Sequence, residues 1–230
     1  MQRTPSLPEE PDRLGARSLT SAVFASLKAE ILACTLAPDE KLHIGNLAKR
    51  FNVSIAAVRE ALSRLVADGL VVARDQQGFR VSPASIGDLS DLTQTRIEIE
   101  CLALRRAIER GGADWAEQVE SAWRAMLDHR PGDDEWPALH ERFHVTLISA
   151  CGLDWLMRFR SVLFEQTERY RALSRTRATP TRDIHVEHHA IVEATLARDA
   201  DRATELLTAH FARTRDLAIK NYTNHGDTSR

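Results

Sequence analysis

Apolar positions along this chain recur with two different periods. Ile44, Leu47, Ala48 and Phe51 fall on one face of a short helix. Asn52-Val53-Ser54 interrupts the run, and the Ser54 hydroxyl is suited to cap the free N–H groups of a following helix. That helix, over 55–68, has Val58, Ala61, Leu62 and Leu65 as its buried stripe and stops at Gly69. It leaves Ala56, Ala57, Arg59, Ser63 and Arg64 on the outside for a partner. The period then drops from 3.6 to 2. Leu70–Ala73 and Phe79–Val81 read as two short strands joined across Arg74-Asp75-Gln76-Gln77-Gly78. A hairpin placed directly behind a helix-turn-helix is a wing.

Beyond Ser82-Pro83-Ala84-Ser85 every apolar stripe is helical. The spacing predicts helices near 86–110, 114–128, 134–150, 154–176, 182–197 and 199–221. They are separated at Gly111-Gly112, Pro131-Gly132, Cys151-Gly152 and Thr179-Pro180. Six helices with short connections imply an antiparallel bundle. The expected fold is mainly α, an N-terminal winged helix-turn-helix followed by an all-helical antiparallel bundle. The domains are 1–18, a disordered tail holding four prolines or glycines; 19–83, the winged unit; 84–223, the bundle; and 224–230, a flexible tail.

Charge sharpens the first domain. Between 41 and 81 seven basic residues (Lys41, Lys49, Arg50, Arg59, Arg64, Arg74, Arg80) face three acidic ones (Glu60, Asp68, Asp75), seven minus three giving plus four in a chain whose total is −2. A basic field inside a near-neutral chain is what phosphate-backbone binding requires. With 43% apolar and 28% charged residues the composition is that of an ordinary globular protein. Cys34, Cys101 and Cys151 are isolated and odd in number, which fits reduced, mostly buried thiols of a cytoplasmic protein and excludes a disulfide frame. No run approaches the roughly 18 apolar residues of a membrane span. Residues 1–18 lack the apolar core of a secretory signal. Neither a Gly-rich phosphate loop nor a nucleotide-binding βαβ unit is present.

Val53-Ser54-x3-Val58-Arg59-Glu60-Ala61-Leu62-x-x-Leu65-x3-Gly69-Leu70-Val71 closely resembles the DNA-binding domain of the GntR family of bacterial transcription regulators. Ile31–Leu42 is similar to that family's first helix and the turn after it, and Gly78-Phe79-Arg80-Val81 to its wing, so the resemblance spans 19–83. It implies that the 55–68 helix enters a major groove. Arg59 and Arg64 would then contact phosphates or bases, Ser54 would cap the helix and donate to a phosphate, and Ile55, Ala56 and Ala57 would face bases or thymine methyls. Gln77 and Gly78 would reach the minor groove. Two departures stand out: Ile55-Ala56-Ala57 replaces the family's frequent Arg-Thr-Pro, and Asn46 replaces an acidic residue. The operator sequence therefore does not transfer from relatives.

Histidines mark the second domain. His140 and His144 are one turn apart on one helix face, while His188 and His210 each sit in an apolar stripe of a different helix. Imidazoles offered by three helices toward one interior suit zinc, nickel, copper or iron. Phe143-His144-x-x-Leu147-x-x-Ala150-x-Gly152, Glu187-His188-x-x-Ile191 and Ala203-x6-His210-Phe211 are similar to the ligand-binding domain of FadR-like GntR regulators. There a metal is commonly held by three His and one Asp or Asn, beneath a small carboxylate effector. The three His correspond to His144, His188 and His210; His140 stands at the fourth position, a departure toward an all-imidazole set. The resemblance implies one divalent transition metal per chain, zinc or nickel foremost. His185 is an alternative ligand, and His189 is expected to point away. Arg96 is the candidate for holding the effector's carboxylate, the alternative being a surface pair with Glu100. The directions of Arg142, Arg169 and Arg171 stay open.

Two rival readings exist. His140-Glu141-x-x-His144 also spells the zinc-hydrolase motif, with Glu141 as general base and Glu165 or Glu168 as a third ligand. Alternatively the His cluster is a folding staple in a constitutive DNA-binding protein. The reading preferred is a homodimeric, metal-containing, effector-responsive repressor, not an enzyme, in a bacterial cytoplasm, on an inverted-repeat operator.

Overall fold

The computed structural model describes residues 10–174 and 182–226 and divides after Ser85 into two compact units. The first holds helices α1 (Glu10–Leu32), α2 (Ile44–Phe51) and α3 (Ile55–Ala67) and strands β1 (Lys41–Leu42), β2 (Val71–Arg74) and β3 (Gly78–Val81). Asn52 ends α2 in the left-handed conformation (φ 52°), a conformation that Asn tolerates better than most residues. Ser54 then starts α3 by accepting a hydrogen bond from the Ala57 N–H at 3.1 Å. Val23, Leu27 and Ile31, each one turn apart on α1, close over Val58, Ala61, Leu62 and Leu65 of α3 and over Leu42, Leu47, Leu70, Val71 and Val81. The sheet order is β1-β3-β2, with Val71 opposite Val81, Arg74 opposite Gly78 and Leu42 opposite Phe79. Strand β1 was not expected; two residues are too short to show a period of two.

The second unit contains α4 (Ile86–Arg110), α5 (Ala113–Leu127), α6 (Trp136–Ile148), a 3-10 turn (Ser149–Cys151), α7 (Asp154–Ser174), α8 (Ile184–Leu196) and α9 (Ala200–Gly226). Helix α4 packs on α7 and α9, α5 on α6 and α8, and α8 on α9. Their apolar stripes meet in one core that includes Leu104, Val119, Trp123, Met126, Phe143, Leu147, Ile191, Leu207 and Phe211. Cys151 is buried, and Cys34 and Cys101 are half-buried.

Two boundary expectations are corrected. Helix α1 begins at Glu10, so residues 10–18 are helical and not a disordered tail. Pro11 falls in the first turn, where a missing N–H breaks no helical bond, so the proline content there did not signal a coil. Helix α9 likewise continues to Gly226, past the boundary expected at 223. Residues 1–9 and 227–230 of the two tails, and the break expected at Thr179-Pro180, lie outside the described residues. Among the described residues no helix is long and apolar enough to cross a membrane.

Candidate metal centre and nucleic-acid interface

The 3.6-residue period puts His140 and His144 on the core side of α6, beside Phe143 and Leu147. His188 projects from α8 and His210 from α9 into the same space. All four rings are buried, and one nitrogen from each lies within 4.8 Å of the others. The Nε2 atoms of His140 and His144 are 3.3 Å apart. Aromatic rings wall the cluster: Trp136 stacks on His140 at 5.5 Å, Phe143 lies 4.9 Å from His188, and Phe211 lies 5.7 Å from His144.

Dry surroundings keep the imidazoles neutral. Burial, with the Arg171 guanidinium beside it, pushes His140 well below the usual histidine range; burial and the neighbouring rings do the same to His144 and His188. Burial also lowers His210, to about 4, although Glu187 opposes it. Glu187 Oε2 accepts a hydrogen bond from His210 Nδ1 at 2.9 Å, and Arg182 forks onto the same carboxylate at 2.9 and 2.6 Å. Burial pushes the Glu187 carboxyl up, but the hydrogen bonds from His210 and Arg182 outweigh it and hold it well below the ordinary range. Both ring nitrogens of His188, and Nδ1 of His144, are buried without a hydrogen-bond partner among the described residues. Buried polar atoms left unpaired are rare, because each forfeits its hydration. Three of them in one cluster of neutral imidazoles form a donor set suited to a transition-metal ion.

His185 stands outside this set, half-buried between Trp123 (5.9 Å) and Trp136 (5.5 Å). His189 is exposed and paired with Glu193, turned away as expected.

Arg96 of α4 is buried, its Nε 2.5 Å from Glu100 and its guanidinium 4.1 Å above the Phe211 ring. The expected Arg96–Glu100 pair therefore forms, but inside the protein and not on its surface. Arg142 is exposed, Arg169 is buried, and Arg171 reaches to 3.5 Å from His140 Nδ1 while Glu168 holds it at 2.7 Å. Sequence reasoning missed Arg160, which is 1% exposed and lies 3.7 Å from Glu100 and 3.3 Å from Glu141. Its signal was available: position 160 falls in the stripe of Met157, Phe164 and Thr167, where an arginine is conspicuous.

Glu141 and Glu168, acidic residues of the zinc-hydrolase reading, are both paired with arginines. The Glu141 carboxylate is half-exposed and engaged by Arg160 at 3.3 Å. Glu168 is held on Arg171.

In the first unit Ser54, Ile55, Ala56 and Arg59 are exposed at the start of α3, and Ala57 is half-buried. Gln77 and Gly78 are exposed at the wing turn, where Gly78 has φ +81°. Arg64 is exposed, but it lies 4.1 Å over the Phe24 ring of α1 and bonds Ser21 at 3.4 Å. Glu30 holds Arg50 through two hydrogen bonds of 2.8 and 2.6 Å, and Asp39 meets Arg74 at 3.5 Å, so part of the basic field is internally paired.

Residues 19–81 match the family described as bacterial regulatory proteins, gntR family, and residues 91–213 match the FCD domain. The chain belongs to the GntR family of bacterial transcription regulators. This GntR regulator is 44% identical over 202 residues to the HTH-type transcriptional regulator BphR of Paraburkholderia xenovorans (strain LB400), covering 84% of this chain and 82% of that protein. It is 34% identical to the HTH-type transcriptional repressor GlaR of Escherichia coli (strain K12), covering 80% and 88%. Among solved structures, Escherichia coli McbR/YncC superposes with a TM-score of 0.69 at 23% identity, covering 89% and 98% of the two chains. A GntR regulator from Rhodococcus sp. RHA1 gives 0.67 at 20%, covering 88% and 98%. These two structures share the fold of this chain. This GntR regulator is thus a DNA-binding transcription regulator and not an enzyme, which removes the zinc-hydrolase reading.

Proposed function

We propose that this regulator is a homodimeric repressor whose grip on an inverted-repeat operator is set by a small carboxylate effector bound at a metal in the FCD domain. The unpaired, buried and neutral nitrogens of His144 and His188, converging with His140 and His210, carry this reading. His140, His144, His188 and His210 would hold one divalent transition metal, zinc or nickel foremost, because a neutral all-imidazole set suits a borderline-soft ion. The bound metal would supply a Lewis-acidic position for a carboxylate oxygen. Glu187 orients His210, Arg96 brings a guanidinium to the same end, and the aromatic walls exclude water. Arg96 Nη2 is buried and has no hydrogen-bond acceptor among the described residues, which favours an effector over a purely structural staple.

On the DNA side, Arg59 is exposed at the start of α3 and fits a phosphate or base contact, with Ser54, Ile55, Ala56 and Ala57 against bases and Gln77 and Gly78 at the minor groove. The effector would act by shifting the population between two dimer geometries. Metal analysis of protein purified without added metal or chelator tests the centre. About one equivalent per chain, lost in His188→Ala, is expected. An unchanged metal content in that variant would refute the four-histidine set.

A further inference from the structure

Beside the histidine cluster a narrow cavity runs between α4, α7 and α9, with Arg96 and Phe211 at one end and Leu89 and Ala218 at the other. Phe211 and Ala218 are seven residues apart on α9, so these walls stand about 10 Å apart along the helix at 1.5 Å per residue, while the closed space between α4, α7 and α9 is only about 10 Å³. Its hydroxyl protons are committed elsewhere and its outer guanidiniums are paired with carboxylates. The hydroxyls of Thr93, Thr167 and Thr214 donate to carbonyls of their own helices, those of Leu89, Leu163 and His210, at 2.8 to 2.9 Å. The Tyr170 hydroxyl donates to Asp88. Arg171 is held by Glu168 at 2.7 Å and Arg215 by Asp216 at 2.8 Å. Against this, Arg96 Nη2 is buried and lacks an acceptor among the described residues. One end therefore offers a cationic donor, and the remainder offers hydrocarbon: Leu89, Phe211, Ala218 and the threonine methyl groups.

We infer that the effector is a monocarboxylic acid with an unhydroxylated body, alkyl or aryl, rather than a sugar acid or other polyhydroxy acid. This rests on the effector reading of the same site and names its ligand class. An anionic head satisfies Arg96 Nη2. An apolar body meets walls that ask for no hydrogen bond. Each ligand hydroxyl, by contrast, would leave water for a space whose threonine and tyrosine hydroxyl protons are already committed, and would forfeit much of its hydration there.

Hexanoate and gluconate make a matched test, since both are six-carbon monocarboxylates and they differ in five hydroxyls. Calorimetric titration of the full-length, metal-loaded protein is expected to give hexanoate at least tenfold tighter binding than gluconate. Within the series butanoate, pentanoate, hexanoate, affinity should rise about fourfold per methylene. Leu89→Asn, at the end remote from the histidines, should weaken hexanoate about fivefold or more while leaving metal content unchanged, as expected for loss of one apolar wall. Gluconate binding as tightly as hexanoate would overturn the inference and leave the effector reading standing. Failure of every acid to bind a metal-loaded protein would overturn the effector reading, and the inference with it.

Discussion

Glu187 accepts a hydrogen bond from His210 Nδ1 at 2.9 Å, which fixes the proton on that nitrogen and leaves Nε2 as the ring's only lone pair. Carboxylate support of this kind sets the tautomer of a metal-ligating imidazole and raises its basicity. The Arg182 fork immobilises the carboxylate in turn. Glu187→Gln keeps the size of the side chain and removes its charge. It is expected to weaken metal affinity about 10- to 100-fold, read by competition with a chromophoric chelator. Affinity equal to that of the unaltered protein would mean that Glu187 serves only the α8–α9 packing.

The same cluster makes the metal-free protein acid-sensitive. Four histidines are held neutral, with native values below the ordinary 6.5; that of His210 is about 4. In the unfolded chain these rings take up protons near pH 6.5, whereas the native state refuses them. Stability is therefore complete above pH 6.5 and declines as pH falls toward 4. Glu187 extends the loss: its native value lies below 4.5, so its contribution holds above pH 4.5 and disappears on further acidification. Thermal melts of chelator-treated protein should show Tm dropping between pH 7 and pH 5. A Tm constant across that window would contradict the buried neutral cluster.

Helix stripes, the winged motif and the four histidines were legible because each is a periodic or short-range signal. His140 and His144 share a face by arithmetic, and His188 and His210 declare themselves as polar residues inside apolar stripes. What stayed hidden depends on three-dimensional neighbours. Nothing in a linear string says that Arg64 lies over Phe24, that Arg50 is held by Glu30, or that Arg160 engages Glu141. Strand β1 escaped because a two-residue strand is defined by its partner, Arg80 and Phe79 of β3, and not by its own pattern.

That difference between Arg59 and Arg64 separates two variants. Arg59 is exposed on α3 close to the Ser54 cap, whereas Arg64 stacks on Phe24 and bonds Ser21. Arg59→Ala should abolish footprinting on a duplex selected by the protein from random sequence, with Tm unchanged. Arg64→Ala should weaken DNA binding less and lower stability by about 0.5–1 kcal/mol, the range for an exposed cation–π contact. Equal footprinting by Arg59→Ala and the unaltered protein would remove Arg59 from the interface.

The Tyr170–Asp88 hydrogen bond ties α7 to the first turn of α4, three residues beyond Ser85, where the FCD-containing unit meets the chain of the winged unit. Tyr170 also lines the cavity beside Arg96, and that cavity, at about 10 Å³, has room for a single water. For the proposed acid to enter, α4, α7 and α9 must spread, and the tie to Asp88 would carry that movement to the start of α4. Tyr170→Phe keeps the ring in the cavity wall and removes the donor. Hexanoate affinity should change little. The ratio of operator affinities measured with and without hexanoate should move toward one, by about 0.5–2 kcal/mol of coupling. If hexanoate binding and that ratio both match the unaltered protein, movement of the helices reaches the DNA-binding unit by a route that does not pass through Asp88.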